Sequence, residues 1–372
     1  MNSAERTIGI LGATGYVGRE AARTLLALPG HNIMLGGREP EKLRQFFPEI
    51  ESKGECLPVD IYNGELLADF CSKCDILVNC AGPAKQIKDR VASAAIDQCV
   101  HYVDVSGDES LYRQLLTRKP EIEAKKLRMI VSAGVYPGLS ELVPAYVAET
   151  YFDEMDLLEV FFAGQGGFSL NAAYDIVSSI EEDTGLGMHF CLKGEARKIA
   201  GAFHSSYTLP GPAGKVDTYP ILHREFKQMA ERYKITAAYF YNTYPNRSVL
   251  NQFMMIKALE QYKTEEQKRA SAKLLTEQYA GNKEAANDFT MLHLLAGGYK
   301  NGKYLRLAAN LLTNHDWNTL SGTVAANVAR VLAGDNRERP GCFFAAEGIR
   351  VTELMKVLAE QNIGLTYTFF QK

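Results

Sequence analysis

One stretch near the N-terminus, Ile8-Gly9-Ile10-Leu11-Gly12-Ala13-Thr14-Gly15-Tyr16-Val17-Gly18, restricts the fold more than any other. An apolar run enters a glycine loop, and the loop opens into a helical pattern from Gly18 to Leu28. A βα unit holds the diphosphate of a nucleotide in this way. Gly12 allows the tight turn. Gly15 admits phosphates to the backbone, because no Cβ stands in their way. Gly18 lets the helix lie close on the strand, and the helix N-terminus turns its unpaired N–H groups toward the anion. Thr14, Tyr16 and Val17 complete the expected cofactor-binding loop. The competing reading is a glycine-rich strand–helix turn without a ligand. The strand before the loop and the helix after it argue against that.

The second strand, Asn32–Leu35, runs into Gly36-Gly37-Arg38. An NAD enzyme usually places an acid there, about 20 residues past the loop, on the ribose. Here Arg38 holds the position, with Lys42 one helical turn later. A guanidinium pairs with a 2′-phosphate and stacks on adenine, so the expected cofactor is NADP(H). Glu39 supplies the NAD alternative, by bending back to the ribose.

Short apolar strands at Thr7–Leu11, Asn32–Leu35, Gly54–Val59, Ile76–Asn79, His101–Asp104 and Met129–Val131 alternate with helical segments. That pattern predicts an α/β domain, a Rossmann doubly wound parallel sheet, over residues 1–134. Residues 135–318 change character. Leu157–Ala163, Gly187–Leu192 and Ile235–Tyr244 read as longer strands and Val249–Tyr279 as a helix. This predicts a second, α+β domain for substrate and dimerisation. Its aromatics (Phe190, Phe203, Tyr207, Tyr219, Phe226, Tyr233, Tyr239, Phe240, Tyr241, Tyr244) are expected mostly in sheet and dimer packing, with some lining an apolar pocket. Residues 319–372 read as a helix at Thr323–Leu332, a turn near Gly334–Gly341, a helix at Thr352–Gln361 and a strand at Leu365–Phe369. They are expected to return to the first domain.

A chain of 372 residues holds about two domains. Its net charge of −3 gives no basic field to draw it to nucleic acid or to an anionic membrane. No apolar run approaches the ~18 residues of a spanning helix. The start of the chain runs straight into the first strand without an export signal, and the seven cysteines are odd in number. These features predict free thiols in a reducing cytoplasm. Cys71-Ser72-Lys73-Cys74 has no second CxxC and no spaced histidine pair beside it, so packing thiols, not a metal site, are expected.

Ligands of doubly wound sheets bind beyond the carboxyl ends of the strands. The loops expected there are Gly12–Gly18, Gly37-Arg38, Asp60-Ile61, Cys80–Pro83, Asp104–Gly107 and Ala133–Pro137. Asp60, Cys80, Ala81, Gly82, Pro83 and Ser106 join the cofactor set. Cys80 reads as a small side chain under the cofactor, because hydride transfer needs no nucleophile. Tyr136, just past a strand end, is the first candidate proton donor, weighed against an aromatic hinge. Asp104 and His101 follow, although His101 begins its strand and a structural role suits it better.

These residues resemble the saccharopine dehydrogenase-like NADP oxidoreductases. The resemblance rests on the Gly12–Gly18 loop, Gly37-Arg38-Glu39-Pro40-Glu41-Lys42-Leu43, Asn79-Cys80-Ala81-Gly82-Pro83, His101-Tyr102-Val103-Asp104-Val105-Ser106-Gly107 and Pro137-Gly138-Leu139-Ser140. The final stretch, with its Thr323–Leu332 helix, looks similar too. The resemblance implies an NADP-binding Rossmann domain, a separate substrate domain, a homodimer, and reduction of a C=N bond or oxidation of the matching amine. One departure stands out. Saccharopine and carboxynorspermidine enzymes commonly carry an acid before the Pro-Gly where this chain has Tyr136. Substrates of the opine type also want convergent arginines, whereas Arg197, Arg224, Arg232 and Arg247 form no obvious cluster. A branch similar to thiazolinyl imine reductases of enantio-pyochelin-type siderophore assembly takes an aryl-thiazoline tethered to a carrier protein, which suits the aromatics.

The expected activity is therefore NADPH-dependent imine reduction in a closed, dry cleft. The alternatives are a saccharopine- or opine-type dehydrogenase and a non-catalytic NADP sensor. A short-chain carbonyl reductase ranks below these, because no Tyr-x-x-x-Lys follows the fourth strand in the Rossmann half.

Overall fold

In the computed structural model the described residues are 5–167, 169–182, 185–199, 206–244, 248–281, 288–337 and 339–370. Phe203 and Arg247, singled out above, lie outside them. The chain divides into two units. One contains residues up to Leu142 together with Asn318–Leu358, and the other Val143–Trp317 together with residues from Ala359 on.

The first unit is built on a sheet of seven strands. Six come in chain order: β1 (Arg6–Leu11), β2 (His31–Gly37), β3 (Gly54–Pro58), β4 (Ile76–Asn79), β5 (His101–Asp104) and β6 (Arg128–Val131). The seventh, β16 (Gly341–Phe344), arrives from near the C-terminus. The order across the sheet is β16-β6-β5-β4-β1-β2-β3, and all six pairings are parallel. Every residue of β4 and β6 is buried, as expected for strands covered on both faces. The chain winds outward from β1 to β3, then crosses back to β4 and winds the other way. The reversal between β1 and β4 is the topological switch point, where such sheets bind ligands.

Cys71 and Cys74 pack into this core. Burial pushes both thiols up to about 12, and the Cys74 Sγ donates to the Phe70 carbonyl at 3.3 Å. A thiolate is thus disfavoured at both, as packing thiols require.

The C-terminal return is tied down by charge. Arg128 on β6 pairs with Asp335 at 2.8 Å, and its other Nη donates to the carbonyls of Leu332 and Asp335 at 3.2 and 2.7 Å. Both side chains are buried. The helix Trp317–Ala333 that leads to this point is buried over most of its length, Thr323 and Asn327 included. β16 then adds to β6, with Phe344 stacked on Tyr112 at 4.3 Å. The reading of 334–341 as a turn stopped short of this strand.

The second unit is a mixed sheet. Its main path runs β10 (Glu195–Lys198), β9 (His189–Leu192), β13 (Ala237–Tyr244), β7 (Glu154–Gln165), β14 (Phe289–Lys300), β15 (Lys303–Thr313) and β17 (Leu365–Phe370). Branching from it, β12 (Lys215–His223) pairs with β13, and β8 (Gly185–Gly187) and β11 (Tyr207–Thr208) pair with β12. Among the described residues only β13 and β7 are parallel; the other pairings are antiparallel. The long β14–β15 hairpin turns at Asn301-Gly302, both with positive φ, as a two-residue turn demands. The final strand was expected on the first unit. It instead pairs antiparallel with β15, from Arg306↔Phe370 to Leu311↔Leu365, and closes an edge that would otherwise expose its backbone.

The helix expected over Val249–Tyr279 is two helices, Ser248–Ala258 and Glu265–Gly281. The break is specified locally. The Gln267 backbone N–H donates to Thr264 Oγ1 at 3.2 Å, while the Thr264 N–H donates to Gln267 Oε1 at 3.0 Å. This reciprocal capping box starts a new helix.

The aromatics mostly build the sheet. Phe190 stacks on Tyr239 at 4.4 Å, Tyr241 on Phe161 at 4.7 Å, and Phe161 on Tyr207 at 4.8 Å. Tyr239 and Tyr241, two residues apart on β13, lie parallel and join these pairs into one ladder. Phe161 and Tyr241 are buried, whereas Phe190, Tyr207 and Tyr239 are half-buried. Among the described residues, no helix is long and apolar enough to cross a membrane.

Candidate functional site

The carboxyl ends of β1, β2, β4, β5 and β6 present the loops that carry the expected site. At β1, Gly12 has φ +82°, and a Cβ on it would sit 2.7 Å from the Ala81 nitrogen. A Cβ on Gly18 would sit 2.9 Å from the Ala13 Cα and closer still to the Gly12 carbonyl. Both glycines are therefore required by the protein's own backbone. Gly15 is different. A Cβ there meets only the Gly12 oxygen, at 3.4 Å. The protein leaves that space open on the outer side of the loop, as a cradle for phosphate oxygens requires. The helix behind it, Tyr16–Ala27, has no side-chain N-cap and no acid in its first turn, so its N-terminal N–H groups suit an anion. Thr14, Gly15 and Tyr16 are exposed around it and Val17 is half-buried. Arg19 steadies the loop from behind: its Nε and Nη2 donate to the Thr14 carbonyl at 3.3 and 3.2 Å, and its guanidinium lies 4.1 Å over the Phe46 ring. Sequence reasoning missed this residue.

At the end of β2, Arg38 is exposed and makes no hydrogen bond or ion pair among the described residues. Lys42 and Glu39 face each other at 4.0 Å, both in solvent. Asp60, after β3, accepts from the Tyr62 N–H at 2.9 Å.

The loops after β4 and β5 are tied together by Asp104. One carboxylate oxygen accepts from the Ser106 and Gly107 N–H groups at 3.0 and 2.6 Å. The other accepts from Asn79 Nδ2 at 2.9 Å and from the Tyr102 hydroxyl. Asn79 in turn accepts from the Ala81 N–H at 3.2 Å. Burial raises the Asp104 carboxyl pKa, and these donors oppose the rise. With its oxygens so engaged, Asp104 is an organising group. Cys80 follows Asn79, its N–H on the Leu11 carbonyl at 2.9 Å. Burial, and then Asp104, push its thiol pKa far up, which disfavours a nucleophilic thiolate. Ala81, Gly82 and Pro83 continue the loop through a cis Gly82–Pro83 bond, and Ser106 is exposed beside it.

His101 is not brought to these loops. It begins β5, at the opposite end of the strand, where its Nδ1 accepts from the Arg128 N–H at 3.1 Å. Burial, then Arg128 and Arg6, push it down to about 4, so it is neutral at pH 7. Tyr136 is half-buried in the loop after β6. That loop is pinned by the Val135 N–H on Ser321 Oγ at 3.2 Å and by the Gly138 N–H on Glu141 Oε2 at 2.8 Å.

One more pair stands at this end of the sheet. Lys85, two residues past Pro83, forms an ion pair with Asp108, four residues past Asp104. The lysine side chain is only 9% exposed.

The comparisons agree with this geometry. Residues 8–131 match the family described as the saccharopine dehydrogenase NADP binding domain. The uncapped helix, the open face of Gly15 and the unpartnered Arg38 are what that cofactor needs. Over residues 8–131 the chain is similar to the saccharopine dehydrogenase NADP-binding domains, and NADP(H) is its cofactor. Curated relatives of this NADP-binding domain include a probable mitochondrial saccharopine dehydrogenase-like oxidoreductase of Arabidopsis thaliana, 27% identical over 137 residues, which are 33% of this chain and 30% of that protein. Another is a lipid droplet localized protein of Caenorhabditis elegans, 22% identical over 178 residues, 44% of this chain and 42% of that protein. The matches thus span less than half the length of either relative. Among solved structures, apo saccharopine dehydrogenase (L-Glu forming) from Saccharomyces cerevisiae aligns with TM-score 0.68 at 14% identity, over 98% of this chain and 100% of that one. A DAP dehydrogenase of C. glutamicum aligns with TM-score 0.51 at 13% identity, over 98% and 100%. At these identities the likeness shows a shared fold: the Rossmann-type parallel sheet followed by a mixed-sheet unit.

Proposed function

We propose that the chain is an NADPH-dependent oxidoreductase that reduces a C=N bond, with a thiazolinyl imine as the preferred substrate. The observation that carries the proposal is the NADP-binding domain itself, a glycine cradle followed by an unpartnered Arg38. NADPH, when bound, supplies the hydride. The chain's own residues do the rest. The helix N-terminus and the Gly15 cradle hold the diphosphate, and Arg38 holds the 2′-phosphate with Lys42 beside it. The Asp104–Asn79 network keeps the loops after β4 and β5 in one arrangement, so little order has to be gained on binding. Cys80, a thiol, stays inert. The nitrogen takes its proton from a group at this end of the sheet, and Tyr136 is one such group.

The aromatic content of the second unit supports an aryl substrate. The opine alternative asks for convergent arginines. Arg197 is paired with Glu195, and Arg224 and Arg232 stand at opposite ends of one helix. We further place the enzyme in a reducing cytoplasm as a homodimer. All seven cysteines are free, which suits that compartment.

The test is NADPH consumption with an aryl-thiazoline thioester, and separately with 2-oxo acids plus lysine and other amines. Turnover of the thiazoline alone supports the proposal. Turnover of oxo acid plus amine replaces it with the opine reading. Cofactor binding without turnover of either favours an NADP sensor.

A further inference from the structure

Lys85 has no part in the activity derived so far, yet its position is expensive. Its side chain is 9% exposed and its ammonium is paired with Asp108, itself 25% exposed. A buried ion pair contributes little to stability compared with apolar side chains of the same volume. A lysine kept in such a place calls for another explanation.

The place is informative. Lys85 lies in the short helix Ala84–Ile87 that follows the Cys80–Pro83 loop of β4. That loop packs directly against the glycine turn, because a Cβ on Gly12 would meet the Cys80 carbonyl carbon and the Ala81 nitrogen at 2.7 Å. Asp108 follows the Asp104–Gly107 loop of β5, and its Oδ1 accepts from the Ser110 N–H at 2.9 Å, which caps the next helix and fixes the carboxylate. The pair therefore bridges the loops of β4 and β5, on the side of the switch point away from β2 and Arg38. With the 2′-phosphate end of the cofactor at Arg38, a dinucleotide spanning the switch point would put its reacting end on the β4–β5 side. Three other ionisable groups weighed above are committed elsewhere, which leaves Tyr136, in the loop after β6, as the rival donor. Asp104 is an acceptor from four donors, Cys80 is held as a thiol, and His101 lies at the far end of its strand.

We propose that Lys85, held in place by its ion pair with Asp108, is the proton donor to the substrate nitrogen. The proposal rests on the C=N reading above. The hydride leaving NADPH forms the new C–H bond. The π pair of C=N moves onto nitrogen and takes a proton from the Lys85 ammonium, leaving a neutral amine that solvent reprotonates. The sum is NADPH, one proton and imine giving NADP⁺ and amine. Asp108 balances the lysine charge before the transfer, and after it the carboxylate faces a neutral amine until solvent returns the proton.

The test compares Lys85→Arg, Lys85→Ala and Tyr136→Phe with the wild type on the imine that the wild type reduces. Arginine preserves the pairing with Asp108 but does not give up its proton. We expect Lys85→Arg to keep the wild-type melting temperature and NADPH affinity while kcat falls by about 10²–10⁴-fold. We expect ethylammonium in the buffer to restore part of the kcat of Lys85→Ala. Unchanged kcat in Lys85→Arg, with a lowered melting temperature in Lys85→Ala, would reduce the pair to a staple between two loops. Loss of kcat in Tyr136→Phe but not in Lys85→Arg would hand the role to the tyrosine. A wild type that binds NADPH but reduces no C=N compound would sink the parent reading, and this one with it.

Discussion

Gly322, in the helix Trp317–Ala333, offers a direct test of how the C-terminal return supports the cofactor loop. A Cβ there would lie 2.9 Å from the Ala21 nitrogen and the Glu20 Cβ, and closer still to the Val17 carbonyl oxygen. Ordinary carbon contacts begin near ~3.5 Å, so Gly322→Ala must push the two helices apart by at least about half an ångström. The obstructing groups are largely backbone and cannot rotate away. Overpacking of this kind costs about 1–3 kcal/mol, and the upper part of that range applies here. Alanine returns about 1 kcal/mol through its better helix propensity. The net expectation is a loss of about 1–2 kcal/mol in urea unfolding. Val17 also belongs to the first turn of the helix behind the phosphate cradle, so the same displacement shifts the N–H groups that face the diphosphate. Weakening one or two charge-assisted hydrogen bonds there by a total of about 1.4 kcal/mol raises the NADPH dissociation constant about tenfold. NADPH fluorescence titration reads that change. Gly64→Ala, where a Cβ meets nothing within 4 Å, is the control. A Gly322→Ala protein as stable as the wild type, with unchanged NADPH affinity, would refute the reasoning.

Gly15→Ala should fold with wild-type stability, since the added Cβ meets only one atom at 3.4 Å, yet bind NADPH at least about tenfold more weakly; paired urea and fluorescence titrations separate the two effects. Arg38→Ala should weaken NADPH by about 1–3 kcal/mol while leaving NADH affinity nearly unchanged, measured by the same titration with both nucleotides. Asp335→Asn should destabilise the fold by about 3–5 kcal/mol in urea unfolding, because it leaves the buried Arg128 uncompensated. Asp335 also gives the wild type an acid dependence. Several effects act on this carboxyl: burial raises its pKa, but hydrogen bonds from Arg337 and Arg128 outweigh that and hold it at about 2. Its unfolded value is about 3.9, so its contribution is complete above that pH and is lost as pH falls toward about 2. Asp335→Asn should flatten the stability–pH curve in that window.

The first six strands were legible because buried parallel strands are written as short apolar runs, and because each ends in small or polar loop residues at the mouth. β16 was not, since Gly341-Cys342-Phe343-Phe344 becomes a strand only by finding β6, far away in the chain. The β14–β15 hairpin did carry a local mark in Asn301-Gly302, and the helix break one in Thr264–Gln267; both were readable and were passed over. The roles of Arg19, Asn79 and Lys85 have no such mark. A lysine after Pro83 becomes notable only when the fold sets Asp108 against it and closes solvent away. The aromatic ladder likewise depends on the register of β7, β9, β11, β12 and β13, which composition does not encode.

Both sheets wait for their last strand. β16 completes the parallel sheet only after residue 341, and β17 completes the mixed sheet only after residue 365. A ribosome can therefore have emitted the whole of both sheets but these strands while β6 and β15 still offer open edges to other chains. Synthesis leaves these two edges exposed to pairing until residues 344 and 370 have been made, and the two closures are long-range contacts that form slowly. Overexpressed chains that stall or terminate before β16 should therefore be found in the aggregated fraction and in complexes with chaperones.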